Sequence, residues 1–395
     1  MNRRHFLRLT GGGIVLGASA PLLGGCSAFE VPPGAVAAWQ GPAAETELRH
    51  WVLSYALLAP NPHNRQPWLA DLRAPGEISL SLDTARLLPA TDPFGRQIMM
   101  GAGACLELLV MAAAERGQRA ELALFPEGEP GAQLDRRPFA RVRLDPDAGV
   151  ARDPLFAQVL RRRTDRRAYD PVHAINAADL QALRAAASAR PVQFGVAAGD
   201  ADATRLASIR STVREAWRIE LGTEATMMES MRLLRIGRAE IDQHRDGISL
   251  TSPMMVALDK TGLLDRSRFP GADSQAIQGQ LRDFDAITAS TPAYLWISTE
   301  GNARSQQIEA GRAYVRVNLA GTVAGLAMHP NEQSLQEYAE VAGPYRAIHA
   351  LLDAPAPRFT VQMLARLGHL PAGGVALGPA PRRGLAQHLA RPPAA

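Results

Sequence analysis

Lysine is almost missing from this chain. Lys260 is the only one, and arginine supplies the rest of the 43 basic residues. These interleave with 39 acidic residues and leave a net charge of +4. With no basic block to track a phosphate backbone, the charge pattern gives no nucleic-acid surface. Cysteine is as scarce: Cys26 and Cys105 are the only two, too few for a disulfide framework. No His/Cys grouping has zinc-ligand spacing, and no Ser/His/Asp or Cys/His constellation announces a protein nucleophile. Cys105 lies in the apolar stretch GAGACLELLVMAA, which suits a buried, inert thiol.

The N-terminus carries the first positive signal. MNRRHFLRLT is followed by a run of about thirteen small and apolar residues, short of the roughly twenty that span a bilayer. A basic start, a short apolar core and small residues make a cleavable export signal over residues 1–26. Arg3-Arg4 with Phe6-Leu7 resembles a twin-arginine signal, and Leu23-Gly24-Gly25-Cys26 resembles a lipobox. Cys26 is therefore a candidate lipidation site, and the expected location is periplasmic, with attachment to a membrane through that lipid. Residues 27–44 are rich in Pro, Gly and Ala without periodicity and read as a flexible tether. The fold is expected to begin near Glu45.

The length of 395 residues, with 46% hydrophobic and 21% charged residues, suits more than one globular unit. Helical spacing is present at Leu48, Trp51, Val52, Tyr55 and Leu58, ended by Pro60 and Pro62. EISLSLD (77–83) and FARVRLD (139–145) alternate as strands do, and 97–116 reads as a helix buried all round. A helix is expected from Asp153 into RRRTDRRAYDP, then a helix over 176–188 and a strand at PVQFGVA. Residues 204–285 read as a mostly helical insertion, whose Trp and Met residues fit a packing face or a lid. A strand at 292–299 precedes a second buried helix over 305–327. Gln97, Ile98 and Gly101 repeat as Gln307, Ile308 and Gly311, each after an alternating strand. This echo points to a duplicated α+β unit, with halves 45–150 and 151–395 acting as a pseudo-dimer.

Two stretches concentrate polar chemistry. The first is LAPNPHNRQPW (58–68), where prolines restrict a backbone that presents Asn61, His63, Asn64 and Gln66. The second is RRRTDRR (161–167), joined late in the chain by Arg382-Arg383; planar guanidinium forks suit phosphate. A solvated basic helix end explains the second stretch equally well.

Together these stretches carry a family resemblance. Residues 59–68 resemble the "APSxxNxQPW" signature of the nitroreductase-like flavoproteins, with Asn61 where the family has serine. Arg162-Arg163-Thr164-Asp165-Arg166 resembles their "RxSxR" turn, with the register of Arg162 against Arg163 open. The ending RLGHLP…VALGPAPRRGL is similar to theirs, and the signal and two-unit layout look closest to the Acg-type branch. The resemblance covers about residues 45–390. It implies an α+β, nitroreductase-like fold of two fused units, each a mixed sheet flanked by helices. It implies FMN as cofactor, held by Asn61, His63, Asn64, Gln66, Arg162, Arg163, Thr164, Arg166, Arg382 and Arg383 at one composite site per chain. Chemistry would be borne by the flavin, with no protein catalytic residue and no metal. The expected partner is a small aromatic, nitro or quinone-like molecule, and the chain would act as a monomeric pseudo-dimer or a homodimer. An exported FMN-binding protein with little NAD(P)H-dependent activity is the alternative.

Overall fold

The computed structural model describes residues 30–42 and 44–390. Residues 1–26, where an export signal is expected, and Cys26 with them lie outside the described residues. The first half runs from a single helical turn, α1 (Pro33–Val36), to α2 (Leu48–Ala56), β1 (Trp68–Asp71), β2 (Glu77–Leu82), α3 (Arg96–Glu115), β3 (Gln118–Leu124) and β4 (Ala140–Pro146). The second half repeats this order. It contains α4 (Ala177–Ser188), β5 (Gln193–Ala198), β8 (Ala293–Glu300), α10 (Arg304–Val323), β9 (Ala327–Pro330), α11 (Ala342–Leu351) and β10 (Phe359–Gly368).

The two four-stranded sheets have strand orders β1-β2-β4-β3 and β5-β8-β10-β9, the same permutation twice. Every registered pair in both is antiparallel. The first sheet becomes mixed only through one parallel bridge, from Ala70 to Leu389 of the C-terminal segment. There Ala70 N–H donates to the His388 carbonyl at 2.7 Å, and Ala390 N–H donates to the Ala70 carbonyl at 2.8 Å. The end of the second half thus closes an edge of the first half's sheet.

Burial separates the sheets. β2 and β4 alternate between buried and accessible positions, so one face of the first sheet meets water. β8 and β10 are buried along nearly their whole length. One face of the second sheet packs on α4 and α10, and the other on the 203–289 excursion and α11. The excursion contains α5 (Ala203–Gly222), α6 (Glu224–Arg232), β6 (Leu234–Ile236), α7 (Gly237–His244), β7 (Ile248–Leu250), α8 (Pro253–Lys260) and α9 (Gln275–Ala289). Its methionines Met227, Met228 and Met231 form a small core of their own with Leu221 and Ile277. The short parallel pair β6–β7 has no counterpart in the sequence pattern.

The halves meet where α3 crosses α10. A Cβ on Gly103 would stand 2.0 Å from the Ile308 carbonyl oxygen, and one on Gly311 1.9 Å from that of Met100. The contacts are reciprocal: Gly103 and Gly311, like Met100 and Ile308, are 208 positions apart. The pseudo-two-fold therefore equates Gly103 with Gly311. The sequence echo paired Gly101 with Gly311, two residues out of register. Glycine is fixed by the closest approach of two backbones, and three matching letters cannot locate that point. α3 is long and apolar enough to cross a membrane, but it is buried at nearly every position as this core. Asp92 caps it, accepting from Gln97 N–H (3.1 Å) and Ile98 N–H (2.9 Å).

Two local expectations are corrected. The helix foreseen from Asp153 is one 3-10 turn, Pro154–Gln158, and 161–176 has no regular structure. Pro154 opens that turn, and the arginines beyond it bond to loop carbonyls instead of extending a helix. The supposed tether is also ordered: residues 33–40 form helical turns with Ala35 and Trp39 buried. Its low periodicity reflected brevity, since two turns are too few to show a pattern.

Gly103→Ala and Gly311→Ala are each expected to destabilise the chain by at least about 2 kcal/mol, because backbone must move to admit the methyl. Gly101→Ala should cost less, since its Cβ would lie 3.1 Å from the Asn61 Cβ, and Ala is the better helix former. Urea unfolding of the three variants checks the order.

Candidate functional site

The 58–68 loop is wired to itself and to two distant segments. Asn61 Oδ1 accepts from Gln66 N–H at 2.7 Å, and its Nδ2 donates to the Ala59 carbonyl at 3.1 Å. Asn64 Nδ2 donates to the Pro381 carbonyl (3.0 Å), and its Oδ1 accepts from Arg382 Nη1 (2.7 Å). Gln66 is fully buried; it donates to the Arg245 carbonyl (2.9 Å) and accepts from Arg383 N–H (2.9 Å). His63, Asn64 and Gln66 sit at φ of 47°, 50° and 48°, in the left-handed region that non-glycine residues rarely adopt. Three such residues in four positions store strain that the surrounding bonds must hold in place.

This corrects part of the sequence reading. Gln66 and Asn61 spend their amides on the protein, and so does Asn64 at both ends. Their chemistry suits a ligand and a loop staple equally, so residue type could not separate the two roles. Arg383 also leaves the set. Its guanidinium takes different partners from that of Arg382, donating to the Gln66 carbonyl and facing His388 Nδ1, both at 3.0 Å.

The remaining arginines converge. Arg162 Nη2 donates to the Leu58 carbonyl (3.0 Å) and Nη1 to Asn318 Oδ1 on α10 (3.2 Å). Arg382 makes five hydrogen bonds, to the carbonyls of Leu57, Leu58, Ala59 and Pro381 and to Asn64. That saturates its five N–H groups. It therefore contributes charge and locks the loop, with no donor left for a ligand. Arg163 uses only Nη1, toward the Leu160 and Arg162 carbonyls. Thr164 is half-buried between them. The register is settled in space: Arg162 is the buried residue against the loop, and Arg163 lies half-buried beside it.

Arg166 differs from all of these. Its side chain has no hydrogen bond or ion pair among the described residues. It is exposed, and it lies close enough to His63 and His329, both partly buried, to act on their charge. Burial, then Arg166 and Arg65, brings His63 down to about 4. Burial, then Arg366 and Arg166, holds His329 well below its ordinary value. Both rings are neutral near pH 7. His329 Nδ1 lies 3.2 and 3.0 Å from Arg366 Nε and Nη2, which can only donate, so its proton is on Nε2. The excursion reaches the same place: Ser230 Oγ lies 3.2 Å from His63 Nε2.

Several other arginines face carboxylates: Arg96 meets Glu332 and Glu337, Arg312 and Arg316 meet Glu107, and Arg235 meets Asp246, whereas the buried Arg304, Arg366 and Arg383 bond to carbonyls and neutral side chains. Arg162, Arg163, Arg166 and Arg382 meet none among the described residues. Burial, with Arg163 opposing it further, takes Arg162 down to about 10; burial, Arg162 and Arg163 hold Arg382 well below its ordinary value. Arg162, Arg163 and Arg382 lie together without a counter-charge, the first two with open donors, and Arg166 follows on the same segment with its donors unused; such a set suits an anion.

The pseudo-symmetric locus is filled instead. The offset of 208 carries Gly101, which makes room for Asn61, onto Glu309. Arg190, just after α4, approaches Glu309 (3.8 Å) and Glu107 (3.1 Å). Arg312 and Arg316 close on Glu107 at 2.8 Å each. Paired charges there replace the free ones at the first locus.

Sequence reasoning missed Trp39, Asn318 and His329. A lone tryptophan among small residues and a lone asparagine in an apolar helix were visible signals; His329 had none.

Two α+β halves of the same strand order, joined by a reciprocal helix crossing, define the class. No family model matches the chain. It is 30% identical over 366 residues to "Putative NAD(P)H nitroreductase Rv3131" of Mycobacterium tuberculosis H37Rv, covering 88% of this chain and 94% of that protein. It is 27% identical over 335 residues to "Putative NAD(P)H nitroreductase acg" of the same organism, covering 82% and 90%. The chain belongs to this nitroreductase family. Among solved structures, the FMN and NADPH-dependent nitroreductase NfnB of a Sphingopyxis strain aligns at TM-score 0.36 and 18% identity, over 60% of this chain and 97% of that one. NfnB of Mycobacterium smegmatis, in complex with NADPH, aligns at 0.35 and 15%, over 57% and 92%.

Gln66→Ala should lower stability by about 2–4 kcal/mol, since it strands Arg383 N–H and the Arg245 carbonyl; chemical denaturation measures it. Glu220 on α5 supplies a pH signature. It is buried without a cation, accepts from Gln336 Nε2 (3.0 Å), and burial raises its pKa from 4.5 to about 7. Its contribution is full below pH 4.5 and is lost as pH rises through about 7. Glu220→Gln should therefore match the parent near pH 4.5 and exceed it at pH 8, by up to about 3 kcal/mol. Thermal melts at both pH values test this.

Proposed function

We propose that this chain is an FMN-dependent oxidoreductase that reduces a small aromatic nitro or quinone-like compound. The observation that carries this reading is the set of four arginines without a carboxylate, all from the second half, set against the 58–66 loop of the first. A phosphate dianion neutralises such a site and offers acceptors to the open N–H groups of Arg162, Arg163 and Arg166. The Thr164 hydroxyl lies on the same segment and can donate to a phosphate or ribityl oxygen. Arg382 fixes the loop against this segment and adds its charge. Family relatives carry the name NAD(P)H nitroreductase, which supports nicotinamide as the electron donor.

When bound, the isoalloxazine supplies hydride transfer, so the chain needs no nucleophile of its own. Its side chains orient and polarise. Arg166 and the neutral His329, with Nε2–H available, offer one cationic and one neutral donor beside His63. The excursion closes on the same place where Ser230 meets His63, which limits the size of an acceptor. The same closure favours a second reading, an FMN-binding protein that nicotinamide reduces poorly. We also infer export in the folded state, since a twin-arginine route would allow flavin loading in the cytoplasm before translocation. Location and the lipidation of Cys26 belong to this inference.

The chain from residue 27 onward should purify yellow or take up added FMN, and NADPH should bleach it under anaerobic conditions. Reduction by dithionite alone would favour the second reading, and a colourless chain that takes up no FMN contradicts both. Arg166→Ala should weaken FMN binding at least tenfold. It should leave the melting temperature of the flavin-free chain unchanged or raised, because it removes an uncompensated charge.

A further inference from the structure

The segment expected to be a tether instead lies across the arginines. Trp39 is buried, and its Nε1 donates to the Ala380 carbonyl at 2.8 Å. The guanidinium carbons of Arg163, Arg382 and Arg162 lie 4.8, 5.0 and 5.4 Å from the centroid of its ring. Arg382 N–H donates to the carbonyl of the fully buried Ala35 at 2.8 Å. A Cβ on Gly41 would stand 3.4 Å from Leu160 and 3.5 Å from the Tyr55 hydroxyl. Residues 33–41 are thus held by the C-terminal segment on one side and by the stretch before Arg162 on the other.

We propose that residues 33–41 are a strap completing the cofactor's phosphate site, with Trp39 as its positioning residue. This rests on the FMN reading above. The choice of an aromatic ring has a physical reason. A carboxylate among these three arginines would pair with them and cancel the charge that a phosphate needs. The electron-rich face of an indole attracts guanidinium groups while leaving their net charge intact. It holds three mutually repelling cations together, leaves their charge uncancelled and leaves the open N–H groups of Arg162 and Arg163 to the phosphate. The strap also ties the cofactor site to the stretch that follows the export signal, so a chain beginning at residue 45 retains every helix of both sheets but loses part of the cradle.

The test compares FMN with riboflavin, which lacks the phosphate. In the chain from residue 27 onward, Trp39→Ala should weaken FMN binding at least tenfold and leave riboflavin binding unchanged. Trp39→Phe, which keeps an aromatic face, should stay within about threefold of the parent. The chain from residue 45 should behave as Trp39→Ala does. Flavin fluorescence gives the affinities, and far-ultraviolet circular dichroism confirms that each variant is folded. Equal loss for FMN and riboflavin would make Trp39 a general structural residue and overturn the proposal. So would unchanged or tighter FMN binding by Trp39→Ala; the latter would mean that the indole occludes the site. If the parent chain binds FMN and only the strap variants fail to behave as stated, the strap falls alone. If the parent binds no FMN, the underlying reading falls and takes the strap with it.

Discussion

Two glycines facing two carbonyl oxygens govern this molecule. Where α3 crosses α10, Gly103 rests on the Ile308 carbonyl and Gly311 on that of Met100, closer than any side chain would permit. That crossing fixes the pseudo-two-fold and so the position of every loop around it. It places Asn61 over Gly101, and thereby the 58–66 loop against Arg162 and the C-terminal segment. A helix pair held only by side-chain interdigitation would allow more slack, and a site shared between halves needs the tighter joint.

From that joint the two symmetric loci diverge by charge. At one, Glu107 and Glu309 satisfy Arg190, Arg312 and Arg316 within the protein. At the other, Arg162, Arg163 and Arg382 gather with only carbonyls, amides and an indole ring around them, and Arg166 follows on the same segment. Removing charge from water without a counter-charge is unfavourable, so the second arrangement makes physical sense as preparation for an anion. The strained loop fits the same view. Three left-handed residues persist because Asn61, Asn64 and Gln66 are each bonded at both ends of their amides.

Long patterns were legible in the sequence. The apolar run of α3 and the alternation of β2 and β4 came through within a residue or two, because burial periodicity over seven to twenty residues is a strong signal. So did the convergence of the QPW loop with RRRTDRR, carried by family resemblance. Side-chain roles within the loop were not legible. Gln66 and Asn64 have the donors and acceptors that a flavin needs, and a loop in left-handed backbone needs the same ones. Arg382 and Arg383 are adjacent in sequence, and only their different partners in the folded chain distinguish them. Trp39 lay in a segment too short for periodicity, and its partners are more than a hundred residues away.

The central claim is that fusion has left one anion cradle per chain, with the symmetric locus closed by internal ion pairs. Equilibrium titration of the chain from residue 27 onward with FMN, against an independently determined protein concentration, tests it most directly. One flavin bound per chain is the predicted result. Two per chain, or none, would contradict it.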